Sequence, residues 1–275
     1  SLGSTTLRQA QQAIDVRGGT RGLSLVGVTI EENTGDGIHV ASVTGRTRLL
    51  RVRVEGVGGN AVTVDGGDPV TAEDLRLIDN VGHGFTRKDG NVTLTHSELA
   101  RNGAAAGGYD LWLREGSSGT VSDTRLTGSG EGARLELTGV MTLAQNEWTG
   151  YRVALRTRSA NPIVRSNVFS HVDTVLSAMG FRVPTTLQLN VINEPQVLVA
   201  NETQQPLDAA RNWWGTTEMA TISSGMSGSV NWEPPLNFDP RLPVEFALAQ
   251  NFPNPFNGAT VIDFSVSLLN ISLSA

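Results

Sequence analysis

A two-part motif recurs about every 20 to 27 residues, from near the start of the chain to Trp214. Each repeat holds two short segments in which apolar and variable residues alternate, with a turn between them. Such alternation is typical of β-strands that bury one face. A fixed repeat of this length indicates one supersecondary unit that is stacked many times. We therefore expect a repeat architecture of about nine coils.

Aligning the repeats shows what their strands share. The first segments mostly have apolar outer residues and a variable middle residue: Ile14–Val16, Ile38–Val40, Val62–Val64, Phe85–Arg87, Leu111–Leu113, Leu135–Leu137, Val153–Leu155, Val175–Ser177 and Val197–Val199. The second segments all end in a large apolar residue: Ile30, Val54, Leu77, Leu99, Leu126, Trp148, Phe169, Ile192 and Trp214. Too little sequence separates them for helices, and Gly, Asn and Asp occupy the joints. This pattern predicts a parallel β-coil with two strands per coil.

The alignment also predicts which side chains face outward on the first sheet. The middle residue of each first segment points away from the core, and this ladder holds Asp15, His39, Thr63, Thr86, Trp112 and Glu136. The residues that follow the segments add Arg17, Ala41, Asp65, Lys88, Arg114, Thr138 and Arg156. Arg87 falls at an inward position, which predicts a local bulge or a one-residue slip.

Composition excludes several classes of function. Only 17 % of the residues are charged and 31 are Gly, which suits a turn-rich β-solenoid. The net charge of −6 argues against a nucleic-acid partner. With no Cys, disulfides, zinc–thiolate sites and thiol nucleophiles are impossible. No apolar run approaches the roughly 18 residues of a membrane span, and the four His are scattered, so we predict neither a membrane span nor a metal site.

The repeat resembles the right-handed parallel β-helix superfamily, the pectin-lyase-like folds with generic β-helix repeats. The resemblance is carried by lines such as 36–40 (Asp-Gly-Ile-His-Val) and 165–169 (Arg-Ser-Asn-Val-Phe), and it covers about residues 8 to 240. It implies an all-β fold, which we assign to residues 1–240. Four asparagines of successive coils look like the family's internal ladder: Asn146, Asn167, Asn190 and Asn212. Amides stacked about 4.8 Å apart can donate to one neighbouring coil and accept from the other.

A second resemblance begins after Pro240. The run 246–257, with Asn-Phe-Pro-Asn-Pro-Phe-Asn at its end, and the following 260–264 look like the start of the C-terminal sorting domain carried by cargo of the bacterial type IX secretion system. We assign residues 241–275 to a linker and a truncated start of this immunoglobulin-like domain. The resemblance implies an exported bacterial protein, extracellular or on the cell surface, with the secretion machinery as a partner.

The function favoured by these observations is a secreted or cell-surface module that presents a face to polysaccharide or protein without catalysis. Trp112 could stack on a sugar ring, while Arg114 meets a uronate carboxylate. His39 joins them as a third predicted substrate contact on the same face. We expect a monomer that needs no cofactor.

The alternative is a polysaccharide lyase or glycoside hydrolase whose site lies around Trp112. A lyase would use Arg114 or Lys88 as its base, with Asp65 and Glu136 nearby. Such enzymes often use Ca²⁺, but no cluster of three or four Asp is visible, so the sequence does not support a calcium site. A hydrolase would need two carboxylates about 5 to 9 Å apart. Thr and basic residues interrupt the carboxylates of this face.

Overall fold

The computed structural model describes residues 2–3, 5–18, 21–66, 68–104, 107–136, 138–180, 185–194, 198–242, 247–248 and 264–265. Almost all of its regular structure is β-strand, and the strands pair in parallel between successive coils. This arrangement confirms the predicted fold class, an all-β parallel solenoid of about nine coils.

Three parallel sheets run along the solenoid. Sheet 1 contains Ile14–Arg17, Ile38–Ala41, Val62–Asp65, Phe85–Lys88, Tyr109–Leu113, Glu131–Glu136, Val153–Arg158, Thr174–Met179, Leu198–Asn201 and Met226–Gly228. Sheet 2 contains Thr6–Arg8, Thr29–Glu31, Arg53–Glu55, Arg76–Ile78, Glu98–Ala100, Arg125–Thr127, Glu147–Thr149, Val168–Ser170 and Val191–Ile192. Sheet 3 contains Leu2–Gly3, Arg21–Val26, Thr44–Leu50, Val70–Glu73, Gly90–Thr95, Ser117–Ser122, Val140–Ala144, Asn161–Arg165, Thr186–Gln188, Leu207–Asp208 and Val230–Asn231.

The prediction of two strands per coil was wrong, because sheet 3 supplies a third. Its strands begin with residues typical of turns, as in Gly90–Thr95 and Ser117–Ser122. They still bury alternate side chains, for example Val92 and Leu94. A cross-section of the solenoid is therefore three-sided, with sheet 3 followed by sheet 2 and then sheet 1.

A sharp corner follows the sheet 3 strand in nine successive coils of the described chain. One residue of each corner has a positive φ: Gly27, Arg51, Asp74, His96, Asp123, Gln145, Ser166, Leu189 and Arg211. A single left-handed residue turns the chain abruptly, which lets the next side chain point into the core. The corner thereby orients the second segments toward the core, and the large apolar residues at their ends are all buried.

Amides at this corner form a buried column. Asn146 donates through its backbone N and its Nδ2 to Oδ1 of Asn167, both at 3.0 Å. Asn167 bonds Asn190 in the same way, and Asn190 bonds Asn212, with distances of 2.9 to 3.0 Å. Each amide also donates to a backbone carbonyl of a preceding strand, such as Leu143 O at 2.9 Å from Asn167. The polar groups of this corner therefore bond from coil to coil.

A second buried polar column follows sheet 2. Asn80 Nδ2 donates to Asn102 Oδ1 at 2.6 Å, and Asn102 Nδ2 donates to Asp110 Oδ1 at 2.6 Å. The hydroxyl of Tyr151 donates to Asp110 Oδ2 at 2.6 Å. Burial raises the pKa of Asp110 to about 6, against the hydrogen bonds from Tyr151 and Asn102, which lower it. This column ends in a carboxyl group rather than an amide.

Strand pairing confirms the predicted alignment of sheet 1 over its first five strands, which places Thr63, Thr86 and Trp112 in one line. The alignment was wrong beyond this point. Trp112 pairs with Arg134 rather than with Glu136, and Arg134 pairs with Arg156. The predicted units here were displaced by two residues, an even shift that keeps Glu136 on the outer face.

The units of the last coils also differ from the prediction. Leu155 pairs with Leu176, so the unit 175–177 was displaced by one residue. An odd displacement exchanges the two faces of a strand. Ser177 therefore takes the place on the outer ladder that the prediction gave to Leu176. Of the unit 197–199, Val197 lies outside the described residues, as does Leu137 of the sixth unit.

The predicted bulge or slip at Arg87 was also wrong. Arg87 pairs in register with Val64 and Leu113, and its side chain is fully buried. Its guanidinium donates to the backbone carbonyls of Gly66 at 3.0 Å and Asp68 at 3.2 Å. Burial lowers its pKa, while the charges of Asp89 and Asp65 raise it. The arginine occupies an inward position because carbonyls of the following turn accept its protons.

The C-terminal coils close with other elements. Trp214 is buried in the core, and Trp213 is half-buried and bridges to Val191. The helix Met219–Ser224 follows and adds Ile222 to the core. Ala247–Leu248 and Phe264–Ser265 pair antiparallel, but the sorting-domain motif at 251–257 lies outside the described residues. Among the residues described, no helix has the length and apolar character needed to cross a membrane.

Candidate functional site

The outer face of sheet 1 carries a long groove of about 1160 Å³. We call it the sheet 1 groove. Its lining includes Lys88, Arg114, Glu131, Arg134, Glu136 and Arg158. The groove runs along the solenoid from the fourth strand of sheet 1 to the ninth, and Glu202 and Gln204, which follow the ninth strand, line its far end. Both signs of charge are therefore presented to solvent on one face.

Three predicted candidates and one further residue share one column of this groove. Lys88, Arg114, Glu136 and Arg158 follow aligned positions in four successive coils. Successive coils lie about 4.8 Å apart. The structure thus brings together the predicted candidates Lys88, Arg114 and Glu136, and it adds Arg158.

Glu136 is fixed at the centre of the groove by two donors. Trp112 Nε1 donates to its Oε2 at 3.2 Å, and Arg134 Nη2 bonds its Oε1. Arg134 also donates from Nη1 to the hydroxyl of Tyr109 at 2.6 Å. Charge-assisted bonds of this kind hold a carboxylate in a defined orientation.

Glu131 is held in a similar way at the wall of the groove. Arg156 donates to it through Nε at 2.9 Å and Nη2 at 2.7 Å, in a bidentate pair. Arg152 adds a bond to Oε1 at 3.1 Å. Both carboxylates of the sixth coil that line the groove therefore already accept bonds from cations.

Aromatic rings form the N-terminal side of the site. The centroid of the His83 ring lies 4.5 Å from the centroid of the Trp112 ring. The His83 ring also stacks on the Tyr109 ring, with 5.6 Å between their centroids. The guanidinium carbon Cζ of Arg114 lies over the Trp112 ring, 4.7 Å from its centroid. Burial lowers the pKa of His83, and the positive charges of Arg114 and Arg134 lower it further. Its Nδ1 accepts the backbone N–H of Tyr109 at 3.1 Å, which places the ring proton of the neutral form on Nε2.

Two predicted residues lie beyond this cluster. His39 is three coils from Trp112 along the outer ladder, about 14 Å at the coil spacing. Its Nδ1 lies 3.1 Å from Asp15 Oδ1, and its Nε2 lies 3.8 Å from Asp65 Oδ2. Asp65 also lies 3.9 Å from Nη1 of Arg114. Asp65 thus connects His39 to the groove, whereas His39 itself does not line it.

Tyr109, Glu131 and Arg134 contribute to the site without having been predicted from the sequence. Arg134 was missed because the sixth unit was aligned two residues too late. The alternation Ala133-Arg134-Leu135 fits the repeat equally well and could have revealed it. In the described part of the chain, no group of three or more His, Asp and Glu side chains is arranged to hold a metal ion.

The comparisons with known proteins support the fold that carries this groove. A family model described as right-handed beta helix region matches residues 36–192. This stretch includes the sheet 1 strands that carry Lys88, Trp112, Glu136 and Arg158. A search of curated proteins and a search of solved structures each found no match.

Proposed function

We propose that this chain, which belongs to the right-handed β-helix family, is a non-catalytic module that binds polysaccharide in the sheet 1 groove. The observation that carries the proposal is the groove itself, a long open surface with fixed cations, fixed carboxylates and the ring of Tyr109. The ring of Trp112 lies beside this lining, with its centroid 6.2 Å from that of Tyr109. A polysaccharide is an extended ligand, and it can contact several coils at once. Ring faces and charged groups placed along its path supply both stacking and hydrogen bonds.

Binding is better supported than catalysis because of how the groove carboxylates are used. Glu131 accepts bonds from Arg152 and Arg156, and Glu136 accepts bonds from Arg134 and Trp112. A general acid or base must be free to exchange a proton with the substrate. Carboxylates already engaged by cations instead suit a surface that orients hydroxyl groups.

Loss of the aromatic and cationic contacts should weaken binding. We expect Trp112→Ala together with Arg114→Ala to lower the affinity for a bound polysaccharide about tenfold or more. Binding to a panel of acidic and neutral polysaccharides would be measured by titration calorimetry. Phe238→Ala is the matched control, because Phe238 is exposed and does not line the groove.

The same samples separate a binding module from an enzyme. Unsaturated uronates would be followed by absorbance and new reducing ends by a colour reaction. Product formed by the wild type and lost in the double variant would identify a lyase or hydrolase and overturn the non-catalytic proposal. Absence of both binding and product on every polysaccharide would overturn polysaccharide as the ligand.

We also propose that the protein is exported by a bacterium and acts outside the cell. The support is the resemblance of residues 246–264 to a type IX sorting domain. Antibodies against the β-helix would be used to probe the medium, the surface and the cytoplasm of the source cells. Signal confined to the cytoplasm would contradict export without bearing on the binding proposal.

A further inference from the structure

The charge of the sheet 1 groove alternates along the solenoid axis. The fourth and fifth coils contribute the cations Lys88 and Arg114 and one carboxylate, Glu115. The sixth coil contributes two carboxylates, Glu131 and Glu136, against the single cation Arg134, which also lines the groove. The seventh coil contributes Arg156 and Arg158. A coil with a net negative charge therefore lies between two regions with a net positive charge.

Two donors hold the carboxylate of Glu136, and it keeps capacity to accept further hydrogen bonds. Trp112 and Arg134 each engage one oxygen of Glu136. A carboxylate has about four lone-pair sites, so each oxygen can still accept a bond from a ligand hydroxyl or amide. A ligand carboxylate at the same place would meet like charge, which is strongly unfavourable at a binding surface.

The cations on either side are available for anionic groups. Among the described residues, neither Lys88 nor Arg158 forms an ion pair within 4.0 Å, and the ion pair of Arg114 with Asp65 is long, at 3.9 Å. Arg114 and Arg158 occupy the same column two coils apart, about 10 Å at the coil spacing. One sugar unit of an extended polysaccharide advances by roughly one coil. Anionic groups on alternate sugars would therefore meet Arg114 and Arg158, and the sugar between them would face Glu136.

We propose that the sheet 1 groove selects polysaccharides that carry an anionic group on every second sugar, with hydroxyl or amide donors on the sugar between. This inference rests on the proposed polysaccharide-binding function and adds its specificity. Glu136 is the specificity-determining residue, since it accepts bonds from the uncharged sugar and repels a carboxylate. A polymer with a uronate on every sugar would place one negative charge against it.

The test compares oligosaccharides of matched length at low salt, where charge effects are least screened. Hyaluronan oligosaccharides carry a uronate on alternate sugars, and oligogalacturonates carry one on every sugar. We expect the wild-type chain to bind the hyaluronan probe about tenfold more tightly. Glu136→Gln keeps the shape and removes the charge, so it should raise affinity for oligogalacturonate about tenfold. It should lower affinity for hyaluronan only about threefold, because a neutral amide accepts weaker bonds from the sugar between the uronates.

A second variant tests the other half of the pattern. Arg158→Gln should weaken hyaluronan binding about tenfold, because it removes the cation that meets the second anionic group. Glu147→Gln and Arg125→Gln make the same chemical changes on sheet 2, away from the groove, and should leave both affinities unchanged. Circular dichroism would verify that each variant is folded.

The outcomes separate the two proposals. Equal affinity for both probes, or a ratio unchanged by Glu136→Gln, would overturn the selectivity while polysaccharide binding stands. No binding of either probe or of a neutral oligosaccharide would overturn the binding function and the selectivity together.

Discussion

Replacement of Asn167 by leucine is expected to lower the free energy of unfolding by about 4 kcal/mol. Asn167 donates to Asn190 Oδ1, Leu143 O and Arg165 O, and it accepts two bonds from Asn146. Leucine has a similar volume but satisfies none of these groups. The donors of Asn146 and the carbonyl of Leu143 would be left buried without their partner.

The loss of stability should affect the coils next to Asn167 before it affects the rest of the solenoid. Each coil of a solenoid contacts mainly its neighbours, so stability is a sum of nearest-neighbour terms. Urea unfolding followed by circular dichroism would give the free energy. Amide hydrogen exchange should accelerate most in the strands that flank Asn167, Val140–Ala144 and Thr186–Gln188.

Asn91→Leu is the matched control for this substitution. Asn91 lies on sheet 3 but is exposed to solvent, so the same change should cost less than about 0.5 kcal/mol. An Asn167→Leu variant as stable as the control would mean that the amide column adds nothing to the stability of the solenoid.

The repeat itself could be predicted because its signal is redundant. Nine second segments end in a large apolar residue, and all nine of these residues are buried. Sheet 3 was missed because turn residues start several of its strands. The sequence nevertheless carried a signal for this sheet. Leu25, Leu94 and Leu143 each stand five positions before the end of a second segment, and all three are buried.

The groove could be predicted only in part because outward positions carry no core constraint. The periodicity placed Trp112, Lys88 and Arg114 on the correct face. In the sixth coil, Ala133-Arg134-Leu135 and Leu135-Glu136-Leu137 fit the alternation equally well. Only the pairing between coils decides between them, and it assigns the place beside Trp112 to Arg134.

Some contacts between buried polar residues could likewise be predicted from the sequence, and others could not. Asn146 and Asn167 repeat at one position of successive coils, so their stacking followed from the alignment. Asp110 and Tyr151 are separated by 41 positions and belong to no repeated column. Their contact depends on three-dimensional packing that a pattern of single residues does not contain.

The burial of Asp110 makes its contribution to stability depend on pH in the direction opposite to that of an ion-paired carboxyl group. The pKa of Asp110 is about 6 in the folded protein, above its ordinary value of 3.8, mainly because the carboxyl is buried. The folded state therefore binds this proton more tightly than the unfolded state does. The resulting contribution to stability is fully present below about pH 4 and is lost as the pH rises through 6, a change of about 3 kcal/mol.

Asp110→Asn should remove this dependence. The amide oxygen can accept the two bonds from Asn102, and the amide nitrogen can donate to the hydroxyl oxygen of Tyr151. Because no buried charge forms in the variant, it should exceed the wild type by about 2 to 3 kcal/mol at pH 8. At pH 4 the two proteins should be nearly equal.

Urea unfolding at intervals between pH 4 and pH 8 would measure the difference between the two profiles. Other carboxyls act in the opposite direction, since the hydrogen bond from Arg101 lowers the pKa of Asp79. They are present in both proteins and cancel in the difference. Asp173→Asn, at an exposed carboxyl, controls for the loss of charge. A difference between wild type and Asp110→Asn that stays constant across this range would show that Asp110 does not titrate there, and the raised pKa would be wrong.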